Sequence, residues 1–274
     1  MKLKKLATTL LALVMMVTFT APALAEEATV EIEDGVLSHN RVLIPLRVVS
    51  SHLGGYVKWY KEDRYIQIKT KEKEILLAVN FKNARVNDRI ITMDSSVVLI
   101  GGVTYVPLRF VSQTLGAKLN WDHENKQATI TLDDQTVVVN VQNDVSQISD
   151  SRKISQSRLN LLSEKLNETT MRSKMKSFPT YFKPYFTAKL IQSILGGQEL
   201  QSEWIQYEVP ENSVDYTSRT TGTLSQSFVL GNTLTGESHY VHDRNIELVY
   251  SKGVWKVNRL KFVFRTIPNL GYDR

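Results

Sequence analysis

The chain has 274 residues, 42% of them apolar and 23% charged, which suits one large domain or two ordinary ones and excludes disorder throughout. Its formal charge is +6, too mild an excess to support nucleic-acid binding. Cysteine is absent, which excludes disulfides, thiol nucleophiles and a lipoprotein anchor, so stability must come from an ordinary core.

The N-terminus opens with "MKLKK", then an apolar run from Leu6 to about Phe19, then "APALA". A charged region, an apolar core and an A-x-A site form the pattern of a secretory signal peptide, with cleavage predicted after Ala25. The apolar core falls short of the ~20 residues of a spanning helix. Removal takes Lys2, Lys4 and Lys5 and no acid, leaving 31 Lys+Arg against 28 Asp+Glu, about +3. No later segment is apolar for long enough to cross a membrane. The expectation is a protein secreted or associated with the cell envelope, more typical of bacteria than of animal secretions.

Two stretches then open alike, "IPLRVVSSHLGGYVKW" at 44–59 and "VPLRFVSQTLGAKLNW" at 106–121. A shift of 62 residues aligns them, with 8 identities in the 15 positions from Pro45 to Trp59. "RVLIP" and "VTYVP" read as short strands ended by proline, which is suited to a helix start. Leu46, Val49 and Leu53 recur at i, i+3 and i+7, as do Leu108, Val111 and Leu115, giving a two-turn apolar stripe. Gly54 and Gly116 stand where a helix end needs a left-handed residue. "YVKWY" and "KLNWD", charged turns, and "YIQIK" and "ATITL" complete a strand–helix–strand–strand unit. Further strands lie between the units, with turns at Asn87-Asp88 and Gly101-Gly102. "DDQ" at 133–135 leads into "TVVVNV", and this domain is expected to end near residue 142.

"VTYVPLRFVSQTLGAKLNWD", its weaker upstream copy and the intervening "ARVNDRIITMDSSVVLIGG" resemble the copper amine oxidase N-terminal-like, or stalk, domain over about residues 29–142. The resemblance implies an exported protein of the Gram-positive, spore-forming kind and a module away from any chemistry. Val103 stands where the family usually has Arg, and Ser51 and Gln113 stand at a usually acidic place, so an Arg–acid pair of that pattern is missing. Copper oxidation is rejected: there are five histidines, no His-x-His, and no tyrosine after an asparagine to become the quinone.

Residues 143–152 read as a linker. Ile154, Leu159, Leu161, Leu162 and Leu166 mark a helix over roughly 153–170. A basic stretch "MRSKMKSFP" follows, and "PYFTAKLIQSILGG" reads as a second helix ended by Gly196-Gly197. "SEWIQYEV", "SVDYTSRTTGTL", "SHYVHDRNIELVYS" and "VWKVNRLKFVFR" read as strands, with Ser251-Lys252-Gly253 turning the last hairpin. Helices before a run of antiparallel strands give an α+β class. The domain, 153–274, resembles the cone-shaped nuclear transport factor 2-like fold, which implies a curved sheet wrapped over helices around a pocket.

Candidate sites divide between functional and structural roles. Arg47 and Arg109, at the first turn of each short helix, read as anion or glycan contacts, or as guanidinium groups bonding carbonyls or stacking on Trp59 and Trp121. The same residue in both copies favours architecture. His239, His242 and Asp243 form the only histidine cluster, but on a strand the two histidines point to opposite faces, so no metal site is assigned. Trp204, Tyr207, Asp215 and Tyr216 are candidates for lining the cone, and the resemblance implies an acid and a histidine at the pocket base of an enzyme, for which Asp215 and His239 are the candidate pair; packing is the alternative for the aromatics. Arg172, Lys174, Lys176, Lys183 and Lys189 suit an anionic polymer or a solvated helix face. No phosphate loop or nucleophile elbow is present. The residues favour a non-catalytic, cofactor-free binding or scaffolding protein, with a cell-wall polymer or another envelope protein as partner and no nucleic acid. An enzyme acting on a wall fragment or small molecule from residues 150–274, and an inhibitor or regulator of an exported enzyme, are the alternatives.

Overall fold

The computed structural model describes residues 28–38, 41–142, 152–200, 205–207, 209, 214–216 and 218–272. The expected leader, most of the expected linker, and Trp204 lie outside the described residues.

The first half begins with β1 (Ala28–Ser38) and β2 (Arg41–Pro45). Pro45, at φ −58°, turns the chain into α1 (Leu46–His52), followed by β3 (Tyr56–Tyr60) and β4 (Tyr65–Lys69). Next come β5 (Glu74–Ala78), β6 (Asn83–Val86), β7 (Arg89–Thr92) and β8 (Val98–Ile100). The second Pro-Leu-Arg stretch gives β9 (Val103–Pro107), α2 (Leu108–Leu115), β10 (Lys118–Asp122) and β11 (Gln127–Leu132), and β12 (Gln135–Gln142) follows. Both stretches therefore fold as strand, helix, strand, strand. Gly54 and Gly116, at φ +67° and +82°, leave each helix in the left-handed conformation that costs a glycine nothing.

The two copies meet face to face. In the β2–β9 pair Leu43 opposes Pro107, Ile44 opposes Val106 and Pro45 opposes Tyr105. The 62-residue shift maps Ile44 onto Val106 and Pro45 onto Pro107, so the pairing is symmetric about Ile44–Val106, a local two-fold axis. Each helix touches the other copy's strand, α1 on β9 and α2 on β2. Away from the axis the copies diverge. The strands β3 and β4 open a five-stranded sheet, β3-β4-β5-β6-β7, whereas β10 and β11 extend a seven-stranded one, β10-β11-β12-β1-β2-β9-β8. One core spans both, including Ile44, Val106, Val49, Val111, Ile66 and Ile130.

The second half places α3 (Gln156–Asn167), α4 (Thr169–Arg172), α5 (Phe178–Phe182) and α6 (Ala188–Leu195) before an antiparallel sheet. Its strands, in spatial order, are β13 (Val214–Tyr216), β14 (Thr221–Asn232), β15 (Ser238–Ser251) and β16 (Val254–Pro268). The molecule is α+β. Ser155 caps α3 by accepting from the Arg158 N–H, which fixes its start later than the apolar pattern suggests. The expected second helix is confined to α6, because Pro184 cannot continue a helix and Thr187 caps a new one. Residues 205–207 are not in a strand, and "SVDYTSRTTGTL" divides between β13 and β14. Lys252 and Gly253 both have positive φ, the two-residue turn that matches strand twist.

The halves are joined by a buried seam. Alternate residues of β14, β15 and β16 face the first half. Val241, Ile267 and Leu270 pack on Leu76, Ala78 and Phe81. At its centre Arg265 donates to Asp243 through Nε at 2.8 Å and Nη2 at 3.2 Å, with both side chains fully buried. The same guanidinium donates to the carbonyls of Asp63 at 2.8 Å and Val79 at 3.0 Å. Ser227 Oγ donates to Asp243 at 2.6 Å, and Arg64 Nη1 reaches it at 3.4 Å. Around this centre Asn80 donates to Ser225 and Ser227, the Asn83 N–H donates to the Tyr272 hydroxyl, and Asn83 Nδ2 donates to the Leu270 carbonyl. Burial pulls the Arg265 pKa down, and the Asp243 carboxylate opposes that shift.

Removing one member of a buried pair leaves the other charge desolvated. Asp243→Ala is expected to lower unfolding stability by about 3–5 kcal/mol. Asn80→Ala, at the seam's edge, is expected to lose about 1 kcal/mol. Urea titration of both variants measures the difference; equal losses would show that the pair does not organise the seam.

Candidate functional site

The helix-facing side of the β13–β16 sheet is the place to look for a pocket. Towards the β15–β16 turn that side is filled by the protein itself. Leu224, Ile246, Leu248, Trp255, Val257 and Leu260 interdigitate with Leu159, Leu162 and Leu166 of α3, with Phe178, Phe182 and Phe186, and with Leu190 and Ile194. Farther along the strands the inward residues become polar. Gln226 of β14 lies opposite Arg244 of β15, and Phe228 lies opposite His242.

Arg244 is fully buried in this row. Its Nε and Nη2 donate to Gln226 Oε1 at 3.0 and 2.9 Å, Nη2 donates to Ser163 Oγ at 2.7 Å, and Nη1 donates to Asn167 Oδ1 at 2.8 Å. The guanidinium lies over the Tyr207 ring, 4.2 Å from its centroid. Burial pushes the Arg244 pKa down to about 9, with Tyr207 acting in the opposite sense. The Tyr207 hydroxyl bonds His242 Nδ1. The His242 ring is stacked on Phe262 at 5.4 Å and tilted against Phe264 at 4.2 Å. Burial raises the Tyr207 pKa and lowers that of His242, in each case favouring the neutral form.

Above this row a shallow cleft of about 200 Å³ is lined by Asn160, Ser163, Glu164 and Asn167 of α3 and by Tyr207 and Val209. Its hydroxyl is not a nucleophile. Ser163 Oγ donates to the Tyr207 carbonyl at 3.2 Å and accepts from Arg244 and from Gln226 Nε2, so its proton faces a carbonyl rather than a base. The cleft offers amide and carboxylate groups for a small polar ligand and no acid–base pair.

The residues singled out from the sequence are scattered. Tyr207 lines the cleft. Asp215 accepts from the Gly101 N–H at 3.2 Å, a second contact between the halves. His239 is buried near the other end of β15, with Nδ1 2.7 Å from Asn232 Oδ1 and its ring against Tyr272. Asp215 pairs with Thr223 and Thr223 with Glu247, eight residues from His239 along β15. At about 3.3 Å per residue that separates them by roughly 26 Å, so the structure does not bring them together. His239 and His242 point to opposite faces, and among the described residues no three His, Asp or Glu side chains gather as a metal site. Of the short-helix arginines, Arg47 pairs with Asp34 of β1, and Arg109 pairs at 3.5 Å with Asp94, which precedes β8. Both arginines are more than half exposed, and such pairs contribute little stability.

Sequence reasoning missed Arg244, Gln226 and Ser163. The available signal was "HDRN" at 242–245, charged residues in the middle of a strand whose neighbours are apolar. A buried charge in such a place must be paired or hydrogen-bonded.

His242 has a testable consequence. Its folded pKa lies below the ordinary 6.5, so between the two values the unfolded chain binds the extra proton. Stability is therefore full above about pH 6.5 and falls as the solution is acidified. Thermal unfolding midpoints measured from pH 7.5 to 5 are expected to drop over that window, and His242→Gln is expected to flatten the drop. An identical slope in the variant would assign the acid sensitivity elsewhere.

No curated protein matches the chain. Residues 26–130, which contain both Pro-Leu-Arg corners and the axis between them, match the family model of the copper amine oxidase N-terminal domain.

Proposed function

We propose that the protein is an exported, non-catalytic scaffolding or binding protein of the bacterial cell envelope. The N-terminal family match is to a non-catalytic stalk domain, and the leader-like first 25 residues support export. The observation that carries the reading is the occupancy of the last sheet. One face is taken by the seam with the first half, and the other is filled by the protein's own helices and side chains from the β15–β16 turn as far as Arg244, beyond which Tyr240 and Phe264 are 48% and 71% exposed. A substrate pocket of the nuclear transport factor 2-like kind needs an enclosed cavity on that second face, and among the described residues the face carries only the shallow cleft over Arg244. The separation of Asp215 from His239 counts in the same direction.

Cell fractionation tests the proposal. The chain without residues 1–25 is expected to appear outside the cytoplasm and to sediment with envelope fractions. A protein found wholly in the cytoplasmic fraction, or one that stays in the supernatant when mixed with purified envelopes, would overturn it.

A further inference from the structure

We infer that the surface formed by residues 171–189 docks onto an anionic phospholipid bilayer. Residues 169–198 contain Arg172, Lys174, Lys176, Lys183 and Lys189 and neither Asp nor Glu. Arg172 is neutralised by Glu168 at 2.9 Å and braces the surface: its guanidinium lies over the Tyr181 ring at 4.7 Å, and Nη1 approaches the Met175 sulfur at 3.9 Å. Among the described residues no carboxylate pairs with Lys174, Lys176, Lys183 or Lys189. Their charge is available to a partner.

The same surface is apolar between its charges. Met171 and Met175 are 63% and 44% exposed, and Pro179 and Tyr181 are exposed beside them. The segment is held from behind by Phe178, Phe182 and Phe186, all buried, with the last two rings stacked at 4.9 Å. Flexible methionines thus project from a fixed base.

Charge complementarity requires an anionic partner, and the methionines decide which kind. A phosphate-bearing wall polymer would engage the lysines and gain nothing from two thioethers. At a bilayer, methionines enter the headgroup–acyl boundary while lysines reach the phosphates. Among the described residues no helix is long and apolar enough to cross a membrane, so this contact is peripheral. It rests on the envelope reading for its setting and gives that reading a lipid partner.

The test is sedimentation of the chain from Glu26 onward, which lacks the apolar leader, with phosphatidylglycerol–phosphatidylcholine vesicles and with phosphatidylcholine vesicles alone. Binding is expected only to the anionic vesicles and is expected to weaken at high salt. The triple variant Lys174→Gln/Lys176→Gln/Lys183→Gln is expected to bind on the order of a hundredfold more weakly. Met171→Ser/Met175→Ser, which keeps the charge, is expected to lose about tenfold. All these residues are exposed, and circular dichroism checks that the fold persists. No binding to anionic vesicles overturns the inference. Loss in the lysine variant with none in the methionine variant also overturns it, and assigns the surface to an anionic polymer. Retention by envelope fractions with indifference to vesicles overturns the lipid partner alone and leaves the envelope reading standing.

Discussion

The fold depends on one ion pair between Asp243 and Arg265, because it lies where two separately built cores must meet. Neither side chain has solvent access, and a bare charge there would cost several kcal/mol. The cost is offset by saturation. Asp243 takes two bonds from Arg265, one from Ser227 and one from Arg64, while Arg265 spends its remaining donors on the carbonyls of Asp63 and Val79. Those carbonyls belong to the turn before β4 and to the residue just after β5, so the pair reads backbone positions in the first half from a strand in the second. Apolar contacts among Leu76, Phe81, Val241 and Ile267 supply area, but apolar area is indifferent to small slips. The guanidinium fork is not, since its bonds hold only in one register.

The first half can accept such a partner because its own core is closed around an axis. The symmetric pairing at Ile44–Val106 lets two short units, each with a helix too small to be stable alone, bury their apolar stripes in one another. Symmetry then ends. The upstream unit passes into β5, whose residues Ile75 and Leu77 enter the common core while Leu76 and Ala78 face outward to the seam. The downstream unit passes into β12, which closes back on β1 in parallel. Divergence after the axis is what leaves one copy, and not the other, to carry the second half.

The local elements were legible in the sequence because they are written in local chemistry. Proline before Leu46 and Leu108, glycine after Leu53 and Leu115, and the Lys252-Gly253 turn each act within a few residues. The seam was not legible, although its trace was present. "EILLAV" is a run without alternation, which is the pattern of a strand buried on both faces, yet nothing in it names the covering surface. "VHDRN" has the complementary trace, with Val241 and Asp243 facing the seam and His242 and Arg244 facing the helices. A charged residue in a strand normally signals solvent. Here both charges are buried on opposite faces, and only the positions of Arg265, 22 residues from Asp243 along the chain, and of Gln226 explain why that is tolerated. The Asp215–His239 idea failed for a related reason: sequence order said both lay on strands, whereas separation along the strands depends on register.

A sheet covered on one face and along much of the other constrains where recognition can occur. In an open cone the concave face presents a pocket, and the convex face is free for a partner. In this chain the seam consumes one, and the α3–α6 helices consume the other from the β15–β16 turn as far as Arg244, which leaves the outer surfaces of those helices, the cleft beside Tyr207 and the exposed Tyr240 and Phe264 for new contacts. The outer surface has the chemical bias that an interior face cannot have: cations without acids from residue 169 to 198, and methionines left in solvent. The cleft has the opposite character, with Glu164 in its lining and the Ser163 hydroxyl and Asn167 carbonyl oxygen already engaged with Arg244. The packing that buries much of the sheet thus turns the outer surfaces of α3–α6 to solvent, and the Asp243–Arg265 pair holds the sheet behind them in register with the first half.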